Sequence, residues 1–271
     1  YYASEKDSSR KMVLKVCVLD ASSAARMRRE INIFSSIDSI YFPKIEFYSV
    51  FSTDQINHYL DSIGCSNINY DNLPILITIE SYIEHLDWST CRERFRHQSN
   101  LVPLLVHLFT ALRDLWSRNI VHRDIKPPNI LIQPSSIPVL IDLGVAKSVD
   151  LDSTDITPTG FRAPCTPQFA APEQLRGLGD EITYKCDQFA VGVVAYWLLT
   201  GTFPYGEHRM LGGPRFLANF DRPVESLAKL RPDIAPHLAK IIHRLIEPES
   251  HRRFRRPETI LDQLDEVGSK I

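Results

Sequence analysis

Polar and apolar positions follow two different rhythms along this 271-residue chain. The first third carries short runs of strand character. Tyr1-Tyr2-Ala3, a polar turn at Asp7-Ser8-Ser9 and the run from Met12 to Leu19 predict a strand, a turn and a second strand. Residues 44–51 and 74–80 are apolar or alternating runs and predict two more. Residues 24–37 set Ile31, Phe34 and Ile37 on one side and Arg and Glu residues on the other, which predicts a short amphipathic helix. The polar stretch from Thr53 to Asn72 is longer than a hairpin needs. It reads as an insertion, or as a long loop carrying a short helix. From Asn100 the rhythm becomes helical. Leu101 to Arg118 repeats apolar residues at steps of three and four, with Pro103 tolerated in the first turn. Ile130-Leu131-Ile132 and Val139-Leu140-Ile141 predict a small hairpin turning at Pro134-Ser135-Ser136. The last third is helical with Pro and Gly punctuation, and ends on a helix from Pro257 to about Val267.

Composition narrows this picture only a little. The length suits one large domain or two lobes, and 44% hydrophobic with 24% charged residues is ordinary for a globular protein. A net charge of −2 gives no electrostatic case for nucleic acid or an anionic membrane as partner. The five cysteines, at 17, 65, 91, 165 and 186, form no Cys-x-x-Cys. Reduced thiols in a cytoplasmic setting are therefore expected rather than disulfides or a zinc site. The apolar stretch from Phe189 to Leu199 is too short to span a bilayer, and no membrane segment is expected in this chain.

Candidate chemistry changes the picture most. Residues 122–129 read His-Arg-Asp-Ile-Lys-Pro-Pro-Asn, and thirteen positions after Asn129 comes Asp142-Leu143-Gly144. Together they supply a carboxylate to orient a hydroxyl, a cation, and an amide with a second carboxylate to hold a divalent metal. Phosphoryl transfer needs such parts, because its catalysis is positioning and charge stabilisation. The spacing resembles the catalytic loop and the metal-binding Asp-Phe-Gly motif of protein kinases, with Leu143 in the Phe position. Val13-Leu14-Lys15 resembles the family's Val-Ala-Ile-Lys strand, and Glu30 its helix αC glutamate. Ala171-Pro172-Glu173 resembles the motif closing the activation segment, Asp187 opens a run like helix αF, and Arg256 sits where the family has its late arginine.

The resemblance implies an α+β, two-lobed protein-kinase-like fold: a small antiparallel sheet with one helix over residues 1–82, and a larger, mainly helical lobe over 83–271. A Gly-rich loop is expected ahead of Tyr1. The implied activity is ATP- and Mg²⁺- or Mn²⁺-dependent phosphorylation of Ser or Thr in protein substrates. By resemblance, Asp124 is the catalytic base and Lys126 neutralises the transferred phosphate; a lysine at that position resembles the Ser/Thr-specific branch. Asn129 and Asp142 offer hard oxygen ligands for the metal. Lys15 holds the α- and β-phosphates and pairs with Glu30. Val13 and Leu131 would sandwich the adenine, or serve only as core. The hinge is expected at Glu80 to Tyr82, with Ile79 as gatekeeper. Thr157 and Thr159, ahead of Thr166, resemble paired threonines of bacterial Ser/Thr kinases, and Arg123 could hold a phosphothreonine. The alternative reading is that they are ordinary loop residues. Glu173 and Arg256 are expected to form a structural ion pair. The run from His251 to Arg256 reads as a solvated approach to a helix around one structural arginine. Two rivals stand beside the kinase reading. One is a pseudokinase or nucleotide-binding scaffold, motivated by Leu143. The other is an aminoglycoside-type small-molecule kinase, against which Glu173 and Arg256 stand. Substrate, upstream signal and oligomeric state are not legible.

Overall fold

In the computed structural model the chain forms two compact units, Tyr1–Glu84 and His85–Ile271. The structure describes residues 2–4, 10–19, 21–52, 73–143, 147–148, 167–178, 181–207 and 216–271. Thr157, Thr159, Thr166 and the polar stretch from Thr53 to Asn72 lie outside the described residues.

The first unit is built on an antiparallel sheet in the order β1-β2-β4-β3: β1 (Tyr2–Ser4), β2 (Lys11–Val18), β4 (Ile75–Ser81) and β3 (Ile45–Phe51). Helix α1 spans Ala21–Ser36. The period of two sorts β2 and β4 into faces. Leu14, Ile75 and Ile77 form an apolar cluster, with Val16, Val18, Phe51 and Ile79 packed against it. The intervening Lys15 stands opposite Thr78, and Val13 opposite Glu80. On α1 the buried apolar residues are Ile31, Ile33 and Phe34, while Ile37 falls one residue past the helix end.

The second unit is mainly helical. After α2 (Trp88–Phe95) comes α3 (Gln98–Trp116), whose Leu101, Leu105, Leu108 and Leu112 are completely buried. It starts three residues before the expected Leu101, so Pro103 lies beyond the first turn. Short strands follow. β5 (Ile120–Val121) pairs with β8 (Lys147–Ser148), and β6 (Ile130–Ile132) with β7 (Pro138–Leu140). Then come α4 (Pro172–Leu175), α5 (Lys185–Thr200), α6 (Leu227–Leu230), α7 (Pro236–Leu245) and α8 (Pro257–Gly268).

Helix α5 is the centre of this unit. It is apolar nearly all round, which marks a helix enclosed by others rather than a surface one. Gly192 lets it approach α7: a Cβ there would meet Leu245 Cβ and Ile246 Cγ2 at 2.7 Å. Its end is set by Gly201, which takes a left-handed φ of 77° at the C-cap. Among the described residues, no helix is long and apolar enough to cross a membrane.

Candidate active site

In the first unit the site begins with Lys15 on β2. Its Nζ lies 2.8 Å from Glu30 Oε1 on α1, which is the pairing expected from the sequence. A second carboxylate, Glu80 Oε1 on β4, lies at the same 2.8 Å. Both carboxylates are nearly buried, whereas 32% of the Lys15 side chain is open. Burial by itself would push the Lys15 ammonium down. The charges and hydrogen bonds of Glu30 and Glu80 outweigh it and raise the group above its usual 10.5.

The same register corrects the expected gatekeeper. Ile79 stands opposite Leu14 and packs with the apolar cluster, away from the face of Lys15. Glu80 occupies the Lys15 face instead. A strand cannot turn two consecutive side chains to one side, so placing Ile79 with the cluster puts Glu80 with Lys15. Val13 is half-buried on β2, and Tyr82 follows β4 with Lys11 Nζ 5.4 Å from its ring centre.

In the second unit the loop from His122 to Asn129 holds Asp124. Lys126 Nζ lies 2.7 Å from Asp124 Oδ2, and Asn129 Nδ2 donates to the same oxygen at 2.9 Å and to the Asp124 carbonyl at 2.9 Å. The loop is pinned through its backbone. Asp187, at the start of α5, accepts from the N–H of His122 at 3.0 Å and of Arg123 at 2.8 Å. Trp116 Nε1 donates to the same carboxylate at 2.9 Å. Arg123 has a left-handed φ of 70°, and its carbonyl accepts from Gln174 Nε2 at 2.8 Å. Gln174 Oε1 in turn accepts from Ala171 N at 3.1 Å. An L-residue in this region costs on the order of 1–3 kcal/mol unless its surroundings fix it. Asp187 and Gln174 do so by binding both backbone groups of Arg123. Sequence reading assigned Asp187 a structural role but missed Trp116 and Gln174. The only available hint was that both are residues able to donate through a side-chain N–H.

Asp142 follows β7 with its own left-handed φ of 63° and an exposed side chain, while Leu143 is fully buried. Leucine therefore fills a packed position here, and the carboxylate beside it is turned outward. Leu131 on β6 is half-buried. Among the described residues no group of three or more His, Cys, Asp or Glu could hold a metal by itself. An exposed Asp142 carboxylate and the Asn129 amide, whose Nδ2 is engaged and whose oxygen is the remaining donor, fit a divalent ion that takes its other ligands from phosphates and water.

The expected ion pair of Glu173 is made by a different arginine. Arg253 Nη1 lies 2.6 Å from Glu173 Oε1, and Nη2 3.0 Å from Oε2. Arg256 is exposed and caps α8. A 3₁₀ turn over Ser250–Arg252, then extended backbone at Arg253, turns Arg253 and Phe254 inward and leaves Arg255 and Arg256 in solvent.

With these parts in place the kinship is clear: the chain belongs to the protein kinase domain family, which matches residues 1–263. Serine/threonine-protein kinase pkn3 of Myxococcus xanthus is 30% identical over 188 residues, 66% of this chain and 33% of that protein. Serine/threonine-protein kinase PknA of Mycobacterium tuberculosis is 32% identical over 166 residues, covering 61% and 36%. A probable serine/threonine-protein kinase PknB of Lactococcus lactis is 24% identical over 184 residues, covering 66% and 28%. The chain thus spans about a third of the length of these relatives.

Proposed function

We propose that this chain transfers the terminal phosphoryl group of ATP to Ser or Thr hydroxyls of protein substrates. The observation that carries the reading is the grip on Asp124: one carboxylate oxygen held by Lys126 and Asn129, in a loop whose backbone is fixed by Asp187 and Gln174. With Oδ2 engaged, Oδ1 is the atom assigned to the acceptor hydroxyl, which Asp124 orients and whose proton it takes. Lys126 lies close enough to offset charge on the transferred group as it develops. Lys15 is assigned to the α- and β-phosphates, and Val13 and Leu131 to the two faces of the adenine. Asn129 and Asp142 are the ligands for Mg²⁺ or Mn²⁺, which supplies charge neutralisation on the phosphates when bound. The free thiols of Cys17, Cys91 and Cys186 fit a reducing, cytoplasmic setting.

Asp124→Asn is expected to lower transfer to a generic basic protein by about 10²–10⁴-fold while nucleotide binding persists. The pseudokinase reading wins if ATP binds and the parent transfers no more phosphate than this variant. Buried Leu143 beside an exposed Asp142 favours the active reading, since the apolar position is filled and the carboxylate stands at the surface.

Regulation follows from Arg123. Its Nε is buried and unpaired among the described residues, so the guanidinium can take a phosphate. Phosphorylation of Thr157 or Thr159 by the chain itself would supply one. Replacing both threonines with alanine is expected to slow transfer to an external substrate. Mass spectrometry showing both unmodified in active protein, with the double variant as fast as the parent, would defeat this mechanism alone.

A further inference from the structure

Lys15 has two carboxylate partners, and only one of them belongs to the helix. We propose that Glu80 is a positioning residue for phosphotransfer: it anchors Lys15 to the sheet, so that the ammonium stays in place whether or not Glu30 does. The inference rests on the assignment of Lys15 to the nucleotide phosphates.

The two anchors differ in how they are tied to Lys15. Glu30 reaches it from α1, an element outside the sheet that no strand register ties to β2. Glu80 sits on β4, the strand paired with β2 along seven consecutive residue pairs from Met12–Ser81 to Val18–Ile75. Within that ladder Lys15 faces Thr78 and Val13 faces Glu80, so Glu80 is the diagonal neighbour of Lys15 on one face, within reach of a long side chain. Register fixes this separation, and a movement of α1 leaves it unchanged. Glu80 is held in turn: Thr78 Oγ1 donates to its Oε1 at 3.4 Å.

Donor arithmetic supports a positioning role. An ammonium has three N–H donors and no acceptor. Two are directed to Glu30 and Glu80 at 2.8 Å, which leaves one for a phosphate oxygen. Two fixed contacts aim the third. The local charge is one cation against two carboxylates, an arrangement that costs desolvation and is poorly explained as a device for stability alone. Water still reaches the Lys15 side chain, 32% of which is exposed, while the two carboxylate side chains are 6% and 5% exposed. The open member of the triad is therefore the one that a ligand would use.

The test combines a chemical probe of Lys15 with a kinetic cycle. Acylation by a water-soluble N-hydroxysuccinimide ester, followed by peptide mass spectrometry, reads how strongly the amine is held in its charged form. Glu80→Leu is expected to speed acylation of Lys15 several-fold, and Glu80→Gln less, because an acceptor oxygen remains. In transfer assays, Glu30→Gln and Glu80→Leu each lower kcat/KM for ATP. Their combination is expected to lose about tenfold more than the product of the single losses, because each carboxylate covers for the other. Unchanged Lys15 acylation in Glu80→Leu, or a double loss equal to that product, overturns the proposal. A parent that transfers no phosphate while Glu80→Leu still speeds acylation defeats the kinase reading and leaves the anchor standing.

Discussion

Two ion pairs, one in each unit, show how the same charges can be used for opposite ends. Arg253 is closed. Its side chain is wholly buried, its Nε donates to the Glu247 carbonyl at 2.7 Å, and its two Nη atoms reach Glu173 and the carbonyls of Lys185 and Pro248. The guanidinium also lies 4.8 Å from the centre of the Phe189 ring. Lys15 is open: two carboxylates, a donor to spare, and a path to water. Arginine suits the first task because its planar fork meets a carboxylate and several carbonyls at once; lysine suits the second because a compact ammonium can take a new partner without leaving the old ones. The difference teaches that a satisfied cation marks architecture and an under-used one marks a site.

The largest effect should come from breaking the closed pair. Arg253→Met leaves the Glu173 carboxylate buried without a partner and is expected to cost about 3–5 kcal/mol in urea unfolding. Arg256→Met is expected to change stability by no more than about 0.5 kcal/mol, as an exposed substitution does. Equal losses in the two variants would return the structural role to Arg256.

Lys15→Met tests the open pair. It leaves Glu30 and Glu80 facing each other without a cation, at a cost of roughly 2 kcal/mol, below the closed pair because water reaches the site. Alkali sharpens the contrast. The folded-state value of Lys15 is raised above 10.5, so its contribution is complete below that pH and is lost as pH rises through the folded value. Unfolding followed from pH 9 to 12 should therefore show a steeper loss in the parent and in Arg253→Met than in Lys15→Met, which keeps the loss from buried tyrosine and cysteine groups whose values burial raises.

Gln174→Leu is the smallest perturbation. It removes the donor to the Arg123 carbonyl and the acceptor for Ala171 N–H, at about 1–2 kcal/mol. Its kcat should fall with little change in KM for ATP, since the loop it steadies carries Asp124 and not Lys15. A raised KM with unchanged kcat would place Gln174 outside the catalytic loop's support.

What could be read from the sequence was whatever depended on residue type at a fixed spacing. Lys15, Glu30, Asp124 and Asn129 were legible because each needs one kind of side chain at a set distance from its neighbours. The sheet of the first unit and α3 followed from hydrophobic rhythm. Helix α2 was missed, since only Cys91 and Phe95 are buried on it and its rhythm is faint. Its one signal was Asp87 ahead of Ser89 and Thr90, where the carboxylate accepts from Thr90 N at 2.9 Å. Arg253 was illegible for another reason: four arginines between His251 and Pro257 share one chemistry, and only the turn at Ser250–Arg252 decides which faces inward. Ile79 was placed on the wrong face by a single residue of strand phase, which is enough to exchange the two faces of a sheet.

Asp187 has a consequence for how the molecule comes into being. It binds the backbone of His122 and Arg123 from 65 and 64 positions further along the chain. A contact over that separation must close a long loop before it can help, so it forms late relative to helices and hairpins. During synthesis the catalytic loop therefore waits for α5. A nascent chain that ends before Asp187 contains Asp124, Lys126 and Asn129 but lacks the carboxylate that holds their backbone. The shape of the loop is completed by the arrival of a distant helix, and a half-made chain carries the residues without their frame.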